Sequence, residues 1–140
     1  MKIQDYNMPD ELYYEENHYW VRVEGDNLVM GMDDFAQQLA EEIVYVQLPF
    51  EGKKLKKGKN FAQIESGKWL GKVFAPVNGE LVESNEELES SAALINEDCF
   101  SAGWMHMIKP TDMAEVNDLI HGPEAVEKWM LADIEKYKKD

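Results

Sequence analysis

The sequence predicts a mainly β domain, arranged as a quasi-twofold sandwich with one short internal helix and helices at the C-terminal end. Three observations carry this. Short runs rich in β-branched, aromatic and apolar residues, such as Tyr19-Trp20-Val21-Arg22-Val23 and Leu28-Val29-Met30-Gly31-Met32, recur between turn-forming clusters. A Pro-x-x-Gly pattern occurs twice, starting at Pro49 and Pro76. Matched positions follow at Leu55 and Val82, Gly58 and Asn85, and Phe61 and Leu88. This repeat predicts two β-turn-β units facing each other, each burying what the other leaves exposed. Finally, Val126, Trp129, Met130 and Ile134 stand at helical spacing near the C-terminus.

The elements follow in order. Glu24-Gly25-Asp26-Asn27 joins the first two strands as a hairpin. Asp33 or Asp34 caps a helix over Phe35 to Glu42, with acids at its positive end. Ile43 to Leu48 is a strand stopped by Pro49. Strands are expected at Asn60–Ser66, Trp69–Ala75 and Gly79–Glu83, with Asn78-Gly79 as a two-residue hairpin turn. Gly103 to Lys109 is the last strand. Thr111 or Asp112 then caps a helix reaching His121-Gly122, and Pro123 opens a second one. The chain, 1–140, reads as one domain, with 111–140 a helical segment packed on it and Glu135 to Asp140 a fraying helix end.

Composition removes several function classes. In 140 residues, 14 Lys and Arg face 28 Asp and Glu, a formal net charge of −14 with a pI near 4.5. Nucleic-acid backbones and anionic membrane surfaces both demand clustered cations. With 44% hydrophobic residues the chain can still bury a core. No apolar run approaches a membrane span, and the start lacks the apolar core of a secretory signal. The lone Cys99 excludes an internal disulfide and reads as a small buried thiol; a resolving thiol is the remote alternative. His18, His106 and His121 show no ligand spacing, so no metal is expected. The expectation is a cytoplasmic monomer without nucleic-acid or membrane partners.

The charge is unevenly spread. Residues 51–72 hold seven lysines and two glutamates, between two strongly acidic flanks. Lys53, Lys54, Lys56, Lys57 and Lys59 around Gly52 and Gly58 read as a solvated turn. Lys68 differs. It stands between two strand-like runs, where a hairpin tip would carry its side chain away from the body. Such a lysine either keeps the turn soluble or is held out for covalent modification by another enzyme.

The residues around it decide which family to consider. His18-Tyr19-Trp20-Val21-Arg22-Val23-Glu24-Gly25, Gly31-Met32-Asp33-Asp34-Phe35-Ala36-Gln37, Ile43-Val44-Tyr45-Val46-Gln47-Leu48-Pro49, Glu65-Ser66-Gly67-Lys68 and Ala75-Pro76-Val77-Asn78-Gly79-Glu80 resemble the H proteins of the glycine cleavage system. Ile95-Asn96-Glu97-Asp98 and Gly103-Trp104 extend the resemblance, which runs from about Tyr14 to Leu119. It implies the lipoyl-domain fold, a barrel-sandwich hybrid or flattened β-barrel. It implies lipoic acid joined covalently to Lys68, with Glu65, Ser66, Gly67, Trp69 and Gly71 forming the tip and motif. No catalytic group is implied, because the attached group supplies the chemistry and the protein acts as a carrier.

The family's cargo is a cationic aminomethyl group held by a serine and two acids. At those positions this chain has Asn17, Tyr19 and Lys72, which with His18 make up the expected cargo environment. A cation at Lys72 would repel an ammonium and favour an anionic group. The Ser-Gly-Lys-Trp-x-Gly run also resembles lipoate-binding proteins of heterodisulfide-reductase-like sulfur oxidation. Trp69 either packs under the hairpin or forms a docking surface. The leading expectation is therefore a lipoyl carrier of a sulfur intermediate. A glycine cleavage H protein carrying aminomethyl comes second, and a lipoate-relay or interaction protein of the same fold third. Implied partners are a lipoate ligase or lipoyl transferase, dihydrolipoamide dehydrogenase, and either a heterodisulfide-reductase-like complex or the glycine cleavage enzymes.

Overall fold

The computed structural model describes residues 1–138, and of Lys138 the backbone only. The chain opens with a small hairpin of β1 (Lys2–Ile3) and β2 (Tyr6–Asn7), followed by β3 (Tyr13–Glu15). β4 (Tyr19–Glu24) and β5 (Asn27–Met32) form the expected hairpin across a tight turn at Gly25, which takes a φ of 63°. Then come α1 (Asp34–Ala40), β6 (Ile43–Val46), β7 (Lys54–Leu55), β8 (Asn60–Ser66), β9 (Leu70–Phe74) and β10 (Gly79–Ser84). The short helices α2 (Glu87–Ser90) and α3 (Leu94–Glu97) precede β11 (His106–Pro110). A 3₁₀ turn over Met113–Asp118, β12 (Ile120–His121) and α4 (Pro123–Lys138) complete the described chain.

Two sheets pack face to face without closing into a barrel. The larger has seven strands in the order β12-β3-β4-β5-β11-β10-β7, and the smaller has three in the order β6-β8-β9. Alternation along β4 explains why the larger sheet is buried on both sides. Tyr19 and Val21 face the smaller sheet and join Leu28, Met30, Ile64, Val73 and Leu81 in the main core. Trp20 faces the other way, into a second core with Tyr14, Phe35, Val126 and Met130. That core seats α4 on the sheet through the stripe read from the sequence, because Val126 and Met130 are buried while Trp129 and Ile134 pack against their neighbours. Each such buried apolar side chain contributes about 2 kcal/mol.

Three expectations need correction. Asn78-Gly79 is not a hairpin turn, because β9 and β10 lie in different sheets and β10 pairs with β7 and β11. Asn78 is instead a junction: its side chain accepts from the Lys57 amide and donates to Glu115. Gly79 serves a close approach, since a Cβ there would stand 2.4 Å from the Lys109 carbonyl oxygen. The repeat also diverges after its turn. Gly58 has a φ of 79°, but Asn85 keeps a negative φ and donates its side-chain amide to the Ala102 and Trp104 carbonyls, so β8 has no counterpart where α2 begins. Last, the helix expected to reach His121 is a 3₁₀ turn ending at Asp118, because Ile120 and His121 pair with Tyr14 and Tyr13 of β3. The expected fraying at Lys139 and Asp140 lies outside the described residues.

Candidate functional site

β8 and β9 pair in antiparallel register up to Glu65 and Leu70, and the chain reverses over Ser66 to Trp69. The Ser66 amide donates to the Trp69 carbonyl at 2.8 Å, closing the turn. The buried Ser66 hydroxyl accepts from the Lys68 amide at 3.3 Å. Gly67 and Lys68 form the exposed apex, and Glu65 is exposed on the strand below. The apex is carried by β8 and β9, with β6 paired to β8 beside them. The Lys68 side chain is 67% exposed, yet its Nζ donates to the Glu41 carboxylate at 2.7 Å, which raises its pKa. Local patterns do not reveal this pairing, because Glu41 is remote in the chain and is brought beside Lys68 only by the pairing of Ile43 in β6 with Ser66 in β8.

Glu41 is unusual in its own backbone. It ends α1 with φ 63° and ψ −150°, a region that only glycine occupies without strain. Asn96 holds it there: its side-chain amide donates to the Glu41 carbonyl at 2.7 Å, and its oxygen accepts from the Ile43 amide.

Trp69 is 40% exposed and forms a wall between two cavities. It lies flat over Gly71, where a Cβ would stand 2.0 Å from the indole. It therefore neither packs under the hairpin nor stands free. One cavity, of about 250 Å³, has the apolar walls Phe35, Leu39, Trp69 and Tyr137. The other, of about 590 Å³, runs from Trp69 and Lys72 past Tyr19 and Asn17 to Trp129, Asp133 and Lys136. Tyr19 is buried, and its hydroxyl donates to the Lys72 carbonyl at 2.7 Å, fixing the floor to β9. Burial pushes the Tyr19 pKa up.

His18 organises this region. It is buried with a φ of 74°, and its ring stacks on Trp129 at 4.4 Å. Nδ1 lies 2.8 Å from Asp33 Oδ2, and Nε2 lies 2.7 Å from Asp133 Oδ2. Only an imidazolium donates from both nitrogens. Burial works against its charge, but the two carboxylates outweigh that and raise its pKa. Asp33 is fully buried and also caps α1, its second oxygen accepting from the Ala36 amide. Sequence reading found the cap but not the triad, since Asp133 is remote in the chain. The available signal was the spacing of Trp129, Asp133 and Tyr137, which lines up a second stripe along α4.

The remaining candidates separate from the site. Lys54 pairs with Glu80 and Lys57 with Asp118, so these lysines of the basic segment are surface partners of the acidic body. Cys99 is buried, and burial pushes its thiol up to about 12, leaving no thiolate to resolve a disulfide at neutral pH. Among the described residues no cluster could hold a metal ion, and no helix is long and apolar enough to cross a membrane.

The family model for the glycine cleavage H-protein matches residues 12–132. The chain belongs to the glycine cleavage H-protein family. It is 40% identical over 118 residues to the glycine cleavage system H protein of Halalkalibacterium halodurans, covering 84% of this chain and 92% of that one. The probable glycine cleavage system H protein 2 of Sulfolobus acidocaldarius is 41% identical over 125 residues, covering 86% and 84%. The glycine cleavage system H protein 4 of Aquifex aeolicus is 38% identical over 138 residues, covering 99% and 80%. A crystal structure of the H protein from Mycobacterium marinum superposes with a TM-score of 0.71 at 27% identity, covering 79% of this chain and 97% of that one. The family carries its lipoyl group covalently on a lysine and acts as a carrier rather than a catalyst.

Proposed function

We propose that this protein is a lipoyl carrier whose arm, joined to Lys68, shuttles an aminomethyl group between the glycine cleavage enzymes. A single observation carries the reading: Lys68 is the exposed apex of a braced β-turn beside the two cavities that Trp69 divides. The residues present suit a lipoyl group. The amide removes one positive charge from Lys68, taking the formal charge one unit below −14. A long apolar arm ending in a dithiolane can fold back onto Phe35, Leu39, Trp69 and Tyr137. The group supplies thiol–disulfide chemistry; the chain supplies an exposed mount, an apolar wall and charges at the cavity. A lipoate ligase or lipoyl transferase would load Lys68, and dihydrolipoamide dehydrogenase would reoxidise the arm. We place this cycle in the cytoplasm, with the carrier a monomer.

The sulfur-cargo reading, ranked first from the sequence, loses its support. It rested on Asn17, Tyr19 and Lys72 standing where the family has a serine and two acids, and on the Ser66-Gly67-Lys68-Trp69-x-Gly71 run. The same cavity, however, is lined by Asp133 and Glu16 as well as by Lys72 and Lys136. The relatives named above bear glycine cleavage names, and none points to sulfur chemistry.

Intact-mass analysis of the protein from its native source tests the carrier reading. A lipoyl adduct is expected on the wild type and absent from Lys68→Arg. Glycine–bicarbonate exchange with the partner decarboxylase then tests the cargo. Exchange supported by the lipoylated protein is the expected result, and its absence would return the cargo to question.

A further inference from the structure

The matched family segment ends at residue 132, while α4 continues through Lys138. The turn beyond that boundary is not idle. Asp133 and Lys136 line the larger cavity, and Tyr137 closes both. Asp133 is the fixed charge among them. Its Oδ2 accepts from His18 Nε2 at 2.7 Å, and His18 is pinned in turn by Asp33 and by the face of Trp129. Two carboxylates share one imidazolium, so the group carries a net negative charge. Asp33 is fully buried, whereas the Asp133 side chain keeps 22% exposure. Of the two, only Asp133 meets the cavity.

The other charges around the cavity are less constrained. Glu16, Lys72 and Lys136 are exposed, and no hydrogen bond holds their side-chain charges among the described residues. A charge already held in place needs no reorganisation when an ion arrives, which makes it the stronger discriminator. We propose that Asp133 is a specificity-determining residue of this carrier, accepting the cationic end of the loaded arm, and that the last turn of α4 is the wall that presents it. This rests on the carrier reading with a cationic cargo.

The test uses the full chain, lipoylated at Lys68, with the arm reduced and its thiolates alkylated. 2-Bromoethylamine gives a thioether bearing a primary ammonium, cationic at neutral pH, bromide leaving as sulfur bonds to carbon. Iodoacetamide gives a neutral arm and iodoacetate an anionic one, iodide leaving in each. Amide chemical shifts of α4 and the mobility of the arm are followed by NMR. In the wild type, the cationic arm should shift the amides around Asp133 and lose mobility, while the neutral and anionic arms remain free. Asp133→Glu should retain this docking, and Asp133→Asn should lose it. If Asp133→Asn loosens α4, as near-UV dichroism would reveal, added salt on the wild type serves instead: docking through charge weakens with salt. Docking of the anionic arm, equal docking in a well-folded Asp133→Asn, or salt-insensitive docking each overturns the proposal. The two failures remain distinct. An unmodified Lys68 in the native protein removes the carrier reading, whereas a lipoylated arm indifferent to charge removes only the role of Asp133.

Discussion

Trp69 lies flat across Gly71, so close that a β-carbon on Gly71 would stand 2.0 Å from the indole. One glycine therefore fixes the wall between the two cavities beside Lys68. The lysine needs exposure, but the tryptophan two positions before that glycine needs a surface to lie on, and β9 provides it by omitting a side chain.

Gly71→Ala should push the indole off its seat. Overpacking of this kind costs about 1–3 kcal/mol, read by urea unfolding, and should shift Trp69 emission as the ring moves into water. Trp69→Ala placed on top of it should recover most of the loss, because the three atoms nearest such a β-carbon all belong to Trp69. A single Gly71→Ala variant with native stability and emission would show that the wall is not held in this way.

Much of this arrangement could be read from the sequence. The strands β4, β5 and β8 follow from their runs of β-branched, aromatic and apolar residues, and Glu65-Ser66-Gly67-Lys68 falls at the reversal between β8 and β9. What escaped was built by residues distant in the chain. Asn78-Gly79 has a hairpin's local chemistry, but the sheet order sends β9 and β10 to different sheets. Lys72 suggested an anionic cargo when read along β9 alone. Packing of α4 brings Asp133 to the same cavity, and local patterns carry no information about such encounters.

The buried His18 bridge predicts unequal costs at its two ends. Asp33→Ala removes both a fully buried counter-charge and the cap of α1, leaving the imidazolium uncompensated, and should cost about 3–5 kcal/mol. Asp133→Ala removes a partner that is partly exposed, so water can replace it and the loss should be smaller. Urea unfolding of both variants checks the order. Equal losses would mean that the bridge is not organised around Asp33.

Glu41 should be a site where glycine stabilises. Its φ of 63° with ψ −150° is strained for any residue with a side chain, and Glu41→Gly relieves that strain. The exposed ion pair to Lys68 offsets little of the gain. A rise of about 1 kcal/mol, or roughly 4 °C in Tm, is expected. Because the pair disappears once Lys68 becomes an amide, the gain should be at least as large in the lipoylated protein. A fall in Tm in both forms would contradict the strain argument.

His106 sets a pH dependence of definite sign. It is fully buried, its Nδ1 lies 2.9 Å from the Ser84 hydroxyl, and its Nε2 has no partner among the described residues. Burial drives its pKa from 6.5 down to about 3. Between those values the unfolded chain binds a proton that the folded chain refuses, so stability falls as the pH drops, by about 1.4 kcal/mol per pH unit below 6.5. His18 acts in the opposite sense: its raised pKa gives a contribution that is full below 6.5 and fades as the pH rises through the folded value. His106→Leu isolates the first effect, because it removes the titrating ring and the unpartnered nitrogen together. The difference in unfolding free energy between His106→Leu and wild type should be nearly flat above pH 7 and should widen in favour of the leucine variant as the pH is lowered to 4. A difference that stays constant over that range would mean that His106 is reached by water or protonated in the folded protein.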